Sequence, residues 1–115
     1  MRLEAKKYLY DIRSAANLLK EFTHSRTLAD YQRDAMLRSA VERQFEVIGE
    51  AMNGLAQIDA NVAARISDYQ RIIAFRNILI HQYTDVDDRL VWDVVETKLP
   101  TLAREVDALL DDRCA

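Results

Sequence analysis

The sequence predicts an all-α chain, an antiparallel bundle of four long helices with room for a short fifth. Three observations lead there. Turn-forming residues are scarce, with two Gly and one Pro in 115 residues. Half the residues are hydrophobic and 30% are charged, a mixture suited to amphipathic helices joined by short connections. Apolar residues recur at three- and four-residue steps, and no stretch alternates as a strand does. One domain over residues 1–115 is expected, large enough to bury about two thirds of the surface that its unfolded chain exposes.

The first helix is expected over residues 3–22, where Leu9, Ile12, Ala16 and Leu19 share a face. THSRTLAD interrupts it, and Thr27 with Asp30 has the spacing of a capping box. A long second helix should follow, to about Ile58. Its stripe of Leu37, Val41, Gln44, Ile48, Ala51 and Leu55 is widened by Phe45, Val47 and Met52, as for a helix with more than one neighbour. In QIDANVAARISDYQ, Asp59 or Asn61 is suited to cap a short helix, and Ser67 with Gln70 makes an S-x-x-Q capping box. The third main helix is then expected from near Asp68 to about His81. Thr84 or Asp85 would cap the fourth, which carries Leu90, Val91, Val94, Val95 and Leu99. Pro100 either kinks that helix or starts a separate one through Leu110.

A net charge of −3 argues against a protein that coats nucleic acid by bulk attraction, yet leaves room for a local basic cleft. Cys114 is the one cysteine, so no internal disulfide is possible and a cytoplasmic location is expected. No apolar run approaches the ~18 residues of a membrane span, and MRLEAKKYLYDIR lacks a signal-peptide core. His24, His81 and Cys114 lie too far apart for a recognisable metal spacing, and there is no Gly-rich phosphate loop. No metal or cofactor is expected. His24 reads as a solvated loop residue, and Arg33, Arg38 and Arg43, five apart, as solvated charge spiralling round a helix. Glu46 and Glu50 are an i, i+4 pair suited to water or a basic partner. Gly49 beside them suits close helix approach, and Trp92 a core or dimer contact.

The stretch RNILIHQY, residues 76–83, concentrates chemistry on an apolar helix. On a continued helical wheel Tyr83 falls within about 20° of Arg76, and Asn77 and His81 follow out to about 140°. Ile78 and Leu79 face the opposite arc. One account is structural: Arg76 reaches solvent, Asn77 and His81 serve a helix end, and Tyr83 packs. The other is catalytic. Arginine is a permanently charged fork that fits phosphate. Histidine exchanges a proton near neutrality, a role worth ~10²–10⁴-fold in rate. Together they suit phosphodiester cleavage without a metal, with His81 handling the proton of a 2′-hydroxyl or leaving oxygen and Arg76 steadying the phosphoryl charge.

RNILIHQYTDVDDRLVW resembles the R-x4-H-x-Y signature of HepT-like proteins, a branch of the HEPN superfamily of helical ribonucleases. VERQFEVIGEAMNGL, residues 41–55, is similar to that branch's second helix with its I-G-E-A turn. VDDRLVWDVVETKLPTLAREVDALL is similar to its closing helices, and the resemblance covers about residues 5–110. Gln82 stands where Asp is common and Tyr69 where Trp is common. The resemblance implies a homodimer whose two R-x4-H motifs meet in one cleft. Arg76 and His81 would be the ribonuclease pair, with Asn77 assisting. It further implies a toxin paired with an MntA-type minimal nucleotidyltransferase antitoxin, which transfers AMP from ATP to the motif tyrosine, here Tyr83. HEPN relatives also include non-catalytic accessory subunits that hold a nucleotide or substrate for such a partner. That is the rival expectation.

Overall fold

The computed structural model describes residues 1–111, which leaves Cys114 outside it. The elements are α1 (Leu3–Thr23), α2 (Leu28–Arg33), α3 (Ala35–Ile58), α4 (Ala60–Ala63), α5 (Tyr69–His81), α6 (Asp88–Asp93), a π-helical turn (Val94–Lys98) and α7 (Leu99–Leu110). No strand occurs among the described residues, so the all-α bundle is as the periodicity predicts.

Short polar side chains set most of the helix starts. The Asp30 amide donates to Thr27 Oγ1 at 3.2 Å and the Thr27 amide to Asp30 Oδ2 at 2.9 Å, the expected reciprocal box at α2. These bonds, with Arg33 alongside, hold the Asp30 carboxyl below its ordinary range. Asp59 caps α4 by accepting from the Val62 amide.

Four expectations need correction. The long second helix is two, because Asp34 is extended and its carboxylate accepts the Leu37 amide, starting α3 anew. Arg38 closes the gap by donating to the carbonyls of Tyr31 and Gln32, the free end of α2, so it is more than solvated charge. Ser67 does not cap α5. Its amide and hydroxyl both bond Glu105 of α7, and Asp68, in the left-handed region at φ 59°, precedes the helix without a side-chain cap bond. The last boundary is set by Asp87, not by Thr84 or Asp85, through the Arg89 amide at 2.9 Å.

Pro100 lies in the first turn of α7, and a π turn stands directly ahead of it. Leu99 donates its amide to Val94, five residues back, and the Thr97 hydroxyl donates to the Asp93 carbonyl. The wider turn suits a segment that meets a proline, which brings no amide and crowds the preceding carbonyls.

α1 and α3 run antiparallel, since Arg2 at one end of α1 donates to the carbonyl of Ile58 at the far end of α3. α3 also packs along α5, α1 along α7, and α2 against α3 and α6. The core holds Leu9, Ile12 and Leu19 of α1, Val41, Ile48 and Leu55 of α3, and Val106 and Leu109 of α7. Tyr31 lies fully buried with its ring 5.4 Å from that of Trp92, which makes Trp92 a core residue. Burial drives the Tyr31 hydroxyl to a higher pKa.

The molecule is about 18 Å thick along its shortest axis, less than two full helix diameters. α5 sits at an edge of this slab and completely buries Leu79 alone. Phe75, Ile78 and Ile80 are half-buried, and between α5 and the α6–α7 arm an apolar cleft of about 500 Å³ remains.

Candidate functional site

α5 carries every candidate residue except Tyr83. It packs mainly on α3, so its polar groups sit on a ridge with one supported flank. Arg76 lies on that flank. Its side chain is about a quarter exposed, at 26%. Nη1 donates to Asn77 Oδ1 at 2.8 Å, Nη2 stands 3.8 Å from Glu50 Oε1, and Nε is buried without a partner. The guanidinium is thus held at its edges with donor capacity left over, since a guanidinium has five N–H groups.

Gly49 makes this position available. A Cβ there would meet the Arg76 Cβ and stand 2.6 Å from its Cγ, so the stem of Arg76 lies directly on the α3 backbone. The expectation that Gly49 serves close helix approach is borne out, and the group brought close is the arginine itself. Glu50, one residue on, supplies the basic-partner contact expected of the Glu46–Glu50 pair, while Glu46 pairs with Arg43 at 3.5 Å.

His81 is the last residue of α5 and is exposed. Five residues of helix set it about 140° round and about 7.5 Å along from Arg76. One copy of the chain gathers Arg76, Asn77 and Glu50, and His81 stands one turn beyond Asn77 on the exposed side of α5. Tyr83 lies past the helix end, in the turn after Gln82, and is 73% exposed. The wheel that aligned it with Arg76 carried the helix two residues past its end at His81. His24 is exposed at the end of α1, as expected of a loop residue.

The residues that sequence reasoning undervalued are Gly49 and Glu50. Their signal was adjacency: a glycine that clears the space and a carboxylate one step round the helix. Among the described residues no three His, Cys, Asp or Glu side chains gather as a metal-ligand set. None of their helices is long and apolar enough to cross a membrane.

An all-helical bundle that presents an R-x4-H-x-Y segment at the end of an exposed helix defines the class: a HEPN-like helical domain. Comparison with known proteins narrows this. A family model described as "Ribonuclease HepT-like" matches residues 12–109, and the chain belongs to that family. It is 34% identical to a Methanocaldococcus jannaschii protein named "Putative RNase MJ1380", over 90% of this chain and 94% of that one. It is 32% identical to the "Probable ribonuclease HepT" of Thermococcus cleftensis, over 95% of this chain and 98% of that one. A Caldanaerobacter subterraneus protein named "Putative RNase TTE0752" is 28% identical over 90% and 91% of the two chains. No solved structure matches.

Proposed function

We propose that this chain is a metal-independent endoribonuclease, active as a homodimer and acting as the toxin of a two-component system. The observation that carries the reading is the Arg76 guanidinium, seated on Gly49 and steered by Asn77 and Glu50 on the helix that ends in His81. A single chain leaves His81 exposed about 7.5 Å along α5 from Arg76, and α5 keeps Phe75, Ile78 and Ile80 incompletely covered. Two-fold pairing of this edge answers both. It covers apolar surface and sets two Arg76 and two His81 around one groove.

In that groove one His81 takes the proton from a ribose 2′-hydroxyl. The oxygen attacks the adjacent phosphorus, and the bond to the 5′-oxygen breaks as a 2′,3′-cyclic phosphate forms. The departing oxygen takes its proton from the second, protonated His81. Arg76 donates to the non-bridging oxygens as their charge grows, and Asn77 keeps the guanidinium oriented.

Tyr83 is the proposed control point. Its exposure suits attack of its hydroxyl on the α-phosphorus of ATP, catalysed by an MntA-type nucleotidyltransferase, which leaves AMP on the ring and releases pyrophosphate. The bulky anion would then stand at the end of α5 and repel RNA.

The test is expression in a bacterial host together with RNA cleavage in vitro. Arg76→Ala and His81→Ala should each abolish growth arrest and lower cleavage by at least about a hundredfold while keeping the helical spectrum. A parent chain that neither arrests growth nor cuts RNA, yet binds the partner, would favour the accessory-subunit reading. For the modification, the Tyr83 peptide should gain AMP mass with partner and ATP, and Tyr83→Phe should gain none.

A further inference from the structure

The chain has two glycines in all, Gly49 and Gly54, and both lie on α3. Each clears room for a side chain of another helix. Gly49 does so for Arg76. A Cβ on Gly54 would stand 2.5 Å from Tyr8 Cζ, 2.6 Å from Cε1 and 2.8 Å from the hydroxyl, so the phenol of α1 is laid against α3. Between Tyr8 and Glu50 opens a small cleft of about 280 Å³, lined by Tyr8, Asp11, Val47, Glu50 and Ala51. Glu50 is its boundary with the candidate site, because the same carboxylate reaches Arg76 at 3.8 Å.

The cleft has the components of a nucleobase site. Val47 and Ala51 give an apolar floor, and Tyr8 gives an aromatic ring with a hydroxyl that makes no hydrogen bond among the described residues. Asp11 is exposed and has neither ion pair nor hydrogen bond there. A free carboxylate in a groove for a polyanion repels phosphate, so its place is toward the bases, which present N–H donors. Single-stranded RNA is read in this way, by aromatic contact and by hydrogen bonds to the Watson–Crick edge.

The edge chemistry selects the base. Guanine sets N1–H beside the N2 amino group, two adjacent donors that one carboxylate accepts together. Cytosine and adenine set an amino group beside an acceptor nitrogen, and uracil flanks its one N–H with two carbonyls. We infer that Tyr8 and Asp11 form a guanine-binding subsite that holds the base next to the phosphate at Arg76. This inference rests on the ribonuclease reading for its biological use, but the subsite can be tested without cleavage.

The experiment titrates the isotopically labelled, full-length protein with GMP, AMP, CMP and UMP and follows the backbone amides by NMR. GMP should perturb Asp11, Val47 and Ala51 and bind at least about tenfold tighter than the other three. Asp11→Asn, a surface change that should leave the melting temperature within a degree or two, should lose that preference. Equal binding of all four nucleotides, perturbation confined to other faces, or an unaltered preference in Asp11→Asn overturns the subsite. Mapping of cleaved RNA ends separates the two ideas. Guanine binding without any RNA cleavage by the parent sinks the ribonuclease and leaves the subsite. Cleavage with no guanine beside the cut and no GMP preference does the reverse.

Discussion

Arg76 occupies the space that Gly49 leaves open on α3, its Cγ 2.6 Å from where a methyl group would stand. The nearest atom at stake is Cβ, fixed to the α5 backbone, and no side-chain rotation moves it out of the way. Gly49→Ala gains helix propensity worth about 1 kcal/mol. It must also push α5 off α3, and overpacking of this kind costs about 1–3 kcal/mol. The clash should win or nearly cancel the gain in stability, and RNA cleavage should fall well beyond any change in melting temperature. Parallel melts and cleavage assays check this; an active, more stable Gly49→Ala protein would refute it.

Glu50 pairs with Arg76 at 3.8 Å with its own side chain half exposed. Such pairs contribute little to folding, so Glu50→Gln should change stability by no more than about 0.5 kcal/mol. Removing the carboxylate leaves the guanidinium charge uncompensated. Affinity for single-stranded RNA should rise by up to about fivefold at low salt, with a steeper salt dependence. Fluorescence anisotropy across a salt series provides the measurement.

Glu42 faces Asp88, Glu46 and Arg38. Burial, reinforced by the two carboxylates and only partly offset by Arg38, holds its carboxyl above the ordinary value of 4.5. The folded chain therefore binds a proton there more readily than the unfolded one, and the site's contribution to stability falls as pH rises from 4.5 through the raised value. Glu42→Gln should melt above the parent at pH 7, and the gap should close below the ordinary carboxylate value. Melting curves from pH 4 to 7 decide it; a gap independent of pH would contradict this account.

Ser25 lies in the α1–α2 connection with φ 58°, in the left-handed region. An L residue there costs about 1 kcal/mol or more that glycine avoids. Ser25 is exposed and far in sequence from α5, so Ser25→Gly should raise stability by up to about 1 kcal/mol and leave RNA cleavage unchanged. A denaturant melt with unchanged slope tests it.

What the sequence makes legible follows from how local each cause is. The Thr27–Asp30 box and the Asp59 cap involve residues three apart, and both form as their spacing predicts. The apolar stripe of α3 is long enough to announce its buried face. The break at Asp34 is hidden, because Leu37 and Val41 continue a helical rhythm and no Gly or Pro marks the change. Ser67 fails as a cap for a tertiary reason: Glu105, 38 residues away, takes both its amide and its hydroxyl. Tyr83 was misplaced because α5 stops at His81. The R-x4-H letters were legible. That Gly49 and Glu50 seat and steer the arginine depends on packing between two helices, which periodicity does not encode.

The π turn at Val94–Lys98 acts as a phase adjuster between the two halves of the closing arm. It uses one residue more than an α-helical turn, and each residue carries the chain about 100° round the axis. That extra step lets Trp92 face Tyr31 while Val106 and Leu109 still point into the core. Shortening the arm by one residue there would turn either the aromatic pair or the aliphatic seam outward, so length in this short stretch is constrained more tightly than its exposed Glu96, Thr97 and Lys98 would imply.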